Sequence, residues 1–199
     1  MQSANNDTLR ASTPTLIIIR GIPGSGKSFL TAALQDSLGK EKVVVLDPDA
    51  IDYSSSEYRQ FSQQLSSEGV DTKFHPFRYS RSRAFDAIVK RKIIIWNQGF
   101  IDFGGFKKTV DSLQTYANEH DTTLPTLVVE VEVHHETAKS RIADRVAAGG
   151  HHVPDEALAD YAQRYQSFAD KGYVTVTVDG HDDIDMSVAT VQQALHALK

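Results

Sequence analysis

The sequence predicts a three-layer α/β sandwich around a five-stranded parallel sheet, with a small helical lid. Three observations carry that prediction. Short runs dense in Ile, Val and Leu alternate with longer helical stretches. The runs lack the polar alternation of half-exposed strands, which suits strands covered on both faces. A glycine-rich turn joins the first run to the first helix. The 199 residues fit one domain with a sizeable core, read here as residues 15–199, and right-handed crossovers would return each helix onto the sheet.

The elements follow in chain order. Met1 to Pro14 is polar, with a single Arg and no apolar signal region, and reads as a flexible leader of a soluble cytoplasmic protein. A strand at Thr15–Arg20 feeds a helix at Lys27–Leu38, and a second strand spans Lys42–Leu46. Residues 47–91 then leave room for two helices, Glu57–Glu68 and Arg78–Arg91, an insertion of the kind that shapes a substrate site. The strand Lys92–Trp96, helix Phe106–Glu119 and strand Leu127–Val133 restore the rhythm. Helix Glu136–Ala148 is separated from helix Asp155–Asp170 by a turn-rich hinge over 149–154, where Pro154 opens the second helix and Asp155 and Glu156 suit its dipole. Strand Tyr173–Val178 and an amphipathic helix at Asp185–Ala197 close the sheet.

Composition excludes several classes. Lys and Arg total 21 against 26 Asp and Glu, a net charge of −5, so tight sequence-blind binding of nucleic acid is not expected. The absence of cysteine removes disulfides, thiol nucleophiles and Cys-based zinc sites. The longest aliphatic runs, such as Leu16 to Ile19, are far below the ~20 residues of a membrane span. The pairs His134-His135 and His151-His152 lack the i, i+4 spacing of a helical zinc motif.

The strongest chemical signal is Gly21-Ile22-Pro23-Gly24-Ser25-Gly26-Lys27-Ser28, the P-loop spacing, placed between a β-branched strand and a helix as that motif requires. Its glycines let backbone N–H groups turn around a phosphate, and the helix start adds positive potential. Lys27 places a point charge on the β- and γ-phosphates, and the Ser28 hydroxyl can ligate Mg²⁺. A nucleoside triphosphate, ATP with GTP as the alternative, is the expected ligand. The second strand ends in Asp47-Pro48-Asp49, whose carboxylates face the crevice beyond a sheet's carboxyl end. One could hold a magnesium-bound water or accept a hydroxyl proton; the other could cap the next helix.

Three motifs together resemble the zeta-toxin-like P-loop kinases: Gly-x-Pro-Gly-Ser-Gly-Lys-Ser, the following Asp-x-Asp, and the late Arg145-Val-x-x-Gly-Gly-His151-x-Val-Pro154 run. The resemblance covers about Leu16 to Val178 and implies a nucleoside-monophosphate-kinase-like P-loop fold. It further implies transfer of the γ-phosphoryl group of ATP to a small-molecule hydroxyl, a UDP-linked amino sugar in the toxins proper, and an antitoxin protein as partner. The family's base falls on Asp49 and its ATP-clamping arginine on Arg145. Two departures stand out. His151 occupies the place of a lid arginine, a charge that Arg164 could replace at the nucleotide. Asn97, at the end of the third strand, stands where the family carries a substrate-contacting glutamate, and an amide offers different hydrogen-bond chemistry.

Helical spacing adds an independent argument. Ala138, Ile142 and Val146 form an inward stripe, with Arg141 and Arg145 along one flank. The segment from Lys73 to Arg91 is basic and aromatic. It could line a pocket for an anionic substrate, such as a sugar nucleotide or a polynucleotide end. Most of its arginines are expected in water over a core of Phe85, Ile88 and Val89; the resemblance implies that Arg83, near an arginine of the family, is the exception that reaches substrate. Asp102-Phe-Gly-Gly imitates a GTPase switch, but no Asn-Lys-x-Asp follows. Two rival functions remain on this scaffold: a polynucleotide 5′-kinase, and a nucleotide-dependent protein-binding toxin or switch.

Overall fold

The computed structural model describes residues 13–198. Five strands form one parallel sheet: β1 (Thr15–Arg20), β2 (Val43–Leu46), β3 (Ile93–Asn97), β4 (Thr126–Glu132) and β5 (Val174–Asp179), in the order β2-β3-β1-β4-β5. Around it lie α1 (Lys27–Leu38), α2 (Ser56–Ser67), α3 (His75–Val89), α4 (Phe103–Glu119), α5 (His135–Ala147), α6 (Asp155–Arg164) and α7 (Ile184–Ala197). Period-two geometry splits β1 between two cores. Ile17 and Ile19 pack with Leu30, Leu34, Val188 and Val191 under α1 and α7. Leu16 and Ile18 pack with Ala84, Ile88, Phe106 and Leu113 under α3 and α4. A third cluster, Ile22, Ala138, Ile142 and Leu158, seats α5 and α6 against the loop after β1.

The expected leader lies outside the described residues except for Thr13 and Pro14. Among the described residues no helix is long and apolar enough to cross a membrane. Several expectations are corrected. Val89 is 52% exposed rather than core, and the α5 stripe ends at Ile142, because Val146 points partly to solvent at 37%. The fourth helix starts at Phe103, since Asp102 accepts the Gly104 and Gly105 amides as its N-cap rather than acting as a switch.

The largest correction concerns α6, which stops at Arg164 instead of running to Asp170. The cause is a buried ion pair. Arg20 and Glu130 are register partners on β1 and β4, and both side chains are fully buried. The Arg20 guanidinium lies between the rings of Tyr165 and Phe168, 4.2 and 3.5 Å from their centroids, and donates to the carbonyls of Gln166 (2.8 Å) and Phe100 (3.1 Å). Glu130 accepts from the Ser167 hydroxyl at 2.6 Å and the Phe168 amide at 2.7 Å. These bonds satisfy a non-helical backbone, so the chain leaves the helix to make them.

Candidate nucleotide and acceptor site

The carboxyl ends of β1, β2 and β3 converge on one crevice. After β1 the chain turns through Gly24, at φ +80°, where an added Cβ would sit 2.5 Å from the Ala138 carbonyl oxygen. Gly26, at φ +104°, begins α1, and no side chain caps its first turn. The amides of that turn therefore face the crevice with the helix dipole behind them, an anion-binding arrangement. Lys27 donates to the Ile22 carbonyl at 2.9 Å, folding back over the loop. Burial lowers its pKa to about 8, opposed by the Asp47 and Asp49 carboxylates and reinforced by Arg145.

Asp47 does two jobs. It caps the 3₁₀ turn Pro48–Ala50 by accepting the Asp49 amide at 2.9 Å, and it accepts from Asn97 Nδ2 at 2.7 Å. Burial pushes its pKa upward, while the hydrogen bonds from the Asp49 amide and Asn97, and the charge of Lys27, pull it down. Asn97 also donates to Ser28 Oγ at 3.2 Å, tying β3 to the P-loop. Its own Oδ1 is buried without a hydrogen-bond partner. Ser28 Oγ and the Asp47 carboxylate, both held by the Asn97 amide nitrogen, form a small pair of hard oxygen donors. They fit Mg²⁺, which takes one or two carboxylates and completes its shell with water and phosphate. Among the described residues no group of three His, Asp or Glu side chains forms a metal cage of its own.

A cavity of about 750 Å³ lies over the loop, lined by Gly21, Pro23, Gly24, Gly26, Lys27 and Ser28, with Asp47, Asp49 and Asn97 on one wall. Arg145 and the hinge residues His151 to Pro154 form its other side, Arg145 Nε donating to the His151 carbonyl at 3.1 Å. Ser25, buried within the loop, passes its carbonyl to Arg141 at 3.3 Å; Arg141 also donates to the Gly180 carbonyl at 2.7 Å. Arg141 thus braces the P-loop rather than lying on a solvated face.

A second cavity of about 780 Å³ opens beside the first, and Asp49, Gln98, Gly99 and Tyr161 line both. Arg164 belongs to this second space rather than to the P-loop cavity, and pairs with Asp160 at 3.0 Å. Arg83 reaches neither. It is exposed, lines a smaller hollow with Asp47, Asp52 and Ser55, and lies 5.9 Å from the Tyr79 ring centre. Arg78 and Arg81 reach the second cavity instead. A further hollow of about 820 Å³ sits at the amino ends of the strands, away from all of these groups.

The structurally important pair Arg20 and Glu130 was not singled out from the sequence. Its signal is present, as opposite charges inside two runs otherwise apolar enough to be buried strands.

A family profile described as an AAA domain matches residues 16–168. The chain belongs to this AAA-domain family. Its strand order and P-loop give it the nucleoside-monophosphate-kinase-like α/β P-loop fold. Solved structures share the fold of this AAA-domain protein. A gluconokinase from Sinorhizobium meliloti is 18% identical at a TM-score of 0.53, with 94% of this chain and 93% of that one covered. Deoxyadenosine kinase from M. mycoides with bound dATP is 18% identical at 0.55, covering 91% and 99%. A structure of the PezAT chromosomal toxin-antitoxin system of Streptococcus pneumoniae is 13% identical at 0.57, covering 94% and 86%. No curated protein sequence matches significantly.

Proposed function

We propose that this domain is a kinase that transfers the γ-phosphoryl group of ATP to a hydroxyl of a small molecule, in the manner of the zeta-toxin-like enzymes. One observation carries the reading: Asp49 lines both the P-loop cavity and the cavity beside it. A carboxylate at that seam can meet a hydroxyl entering from one side and a γ-phosphate held on the other. The acceptor oxygen attacks phosphorus, the bond to the β-phosphate oxygen breaks, ADP leaves, and the hydroxyl proton passes to Asp49. Lys27 and the loop amides hold the phosphate tail. Arg145, on the far wall, neutralises charge on the transferring group, and the hinge from Gly149 to Pro154 covers the nucleotide so that water does not compete. Ser28 and Asp47 would hold Mg²⁺, with the Asn97 amide orienting both oxygens, and the ion when bound supplies positive charge to the triphosphate.

Similar folds among a gluconokinase and a deoxyadenosine kinase, both named for a hydroxyl-bearing small molecule, support this class of acceptor. The likeness to PezAT supports a sugar-nucleotide acceptor and an antitoxin partner only through the resemblance drawn from the sequence. The test is Asp49→Asn. Its affinity for Mg-ATP should stay near that of the parent, while acceptor-dependent ADP release falls by roughly 10²–10⁴. Near-normal turnover in that variant would remove Asp49 from the role.

A further inference from the structure

The cavity beyond Asp49 gathers more cations than carboxylates. Arg78 and Arg81 from α3, Lys108 from α4 and Arg164 from α6 all line it. The carboxylates that face them are Asp49 and Asp102. Asp102 is engaged in capping α4, accepting the Gly105 amide at 2.6 Å, and Arg164 has its partner in Asp160. Among the described residues Arg78, Arg81 and Lys108 have no carboxylate at ion-pair distance. Arg81 is half-buried beside Arg78, one turn back on the same helix, and its Nε is buried with no hydrogen-bond partner. Burial first, and then the charge of Arg78, lowers the Arg81 pKa.

Arg78 and Lys108 stay exposed, but Arg81, partly stripped of water beside a like charge and without a counterion, opposes folding rather than helping it. A purely structural use of Arg81 would give its buried Nε a hydrogen-bond partner. The missing negative charge is one that a ligand would bring.

We propose that Arg78, Arg81 and Lys108 form an anion subsite, so that the compound phosphorylated at this site itself carries a phosphate or carboxylate group. The inference rests on the kinase reading above and narrows its acceptor. The guanidinium fork of Arg81 suits either oxyanion. Gripping the anion at one end of the cavity turns the acceptor's hydroxyl toward Asp49 at the other. The same cations offset repulsion between a charged acceptor and the triphosphate.

The experiment first fills the P-loop with magnesium and a non-hydrolysable ATP analogue, so that a second anion cannot enter the P-loop cavity, and the variants below separate the neighbouring cavity from the basic hollow at the amino ends of the strands. Matched pairs are then titrated: gluconate against glucose for the carboxylate, and adenosine 5′-monophosphate against adenosine for the phosphate. The readouts are the thermal midpoint and calorimetric heat. At least one charged member should bind ten-fold or more tightly than its neutral partner, and the arm in which this happens names the anion. The Arg78→Ala/Arg81→Ala double variant and the exposed Lys108→Ala variant should each weaken that binding about ten-fold, with analogue affinity unchanged. Equal binding of charged and neutral members, or anion affinity untouched in both variants, overturns the subsite. Failure of the analogue itself to bind overturns the kinase reading, and the subsite with it, and is seen before any acceptor is added.

Discussion

Lys27 gives the site a pH signature. Burial holds its ammonium at a pKa of about 8 in the free protein, against an ordinary value of 10.5. A polyphosphate stabilises the charged form, so the bound-state pKa lies higher, and binding takes up a proton wherever Lys27 is neutral beforehand. Below pH 8 the ammonium is already present and affinity for Mg-ATP should be nearly flat. Above pH 8 the free protein loses the proton first, and affinity should fall toward ten-fold per unit until the bound-state pKa is reached. Calorimetry from pH 7 to 9.5 in two buffers of different ionisation heat would show both the slope and the proton uptake; constant affinity across that range would mean that Lys27 does not meet the phosphates. The place of Lys27 was legible in the sequence because the P-loop is local, with every spacing set within eight residues of chain. The choice between Arg81 and Arg83 was not. Residues two apart on a helix point about 200° apart, and which of them faces the cavity depends on how α3 rolls onto α4, a contact that no local pattern encodes.

Among the elements, the joint between α6 and β5 depends on Arg20 and Glu130. Their pair connects β1, β4, the loop at Phe100 and the segment 166–168, and so fixes Phe100, which lines the second cavity. Phe100 is held at φ 42°, a region costly for a bulky side chain, and its carbonyl is one that Arg20 engages. Removing one charge alone strands the other in the core. Glu130→Gln should therefore lower stability by about 3–5 kcal/mol, read as a drop in urea midpoint at unchanged slope. Replacing both, as Arg20→Met with Glu130→Leu, should recover much of that loss, because apolar side chains of similar volume need no counterion. A Glu130→Gln variant as stable as the parent would show that the guanidinium is neutralised elsewhere. This joint also explains why the sixth helix was read too long. Its residues keep helical periodicity to Asp170, but the hydrogen bonds offered by Arg20 and Glu130 come from strands more than 30 residues away in sequence, and they win over local propensity.

At the scale of the molecule, the five strands and seven helices of the described residues were legible because a parallel sheet buried on both faces writes itself as aliphatic runs, such as Ile93–Ile95, between amphipathic helices. The insertion of β3 between β2 and β1 leaves no such trace, yet it brings Asn97 beside both Asp47 and Ser28. The site is thus a property of strand order, and its ligand should stabilise the entire sheet rather than one loop. Binding to the folded state alone adds about 2.7 kcal/mol at a free ligand concentration 100 times its Kd. For a chain of this size that corresponds to roughly 5–11 °C in Tm. Scanning calorimetry with magnesium and ATP should show one transition displaced by that amount, and Lys27→Ala should abolish the displacement while leaving the unliganded Tm close to that of the parent. A displacement that survives in Lys27→Ala would put the nucleotide in another hollow, the one at the amino ends of the strands being as roomy as the P-loop cavity. Asp49 would then have no phosphoryl group to meet.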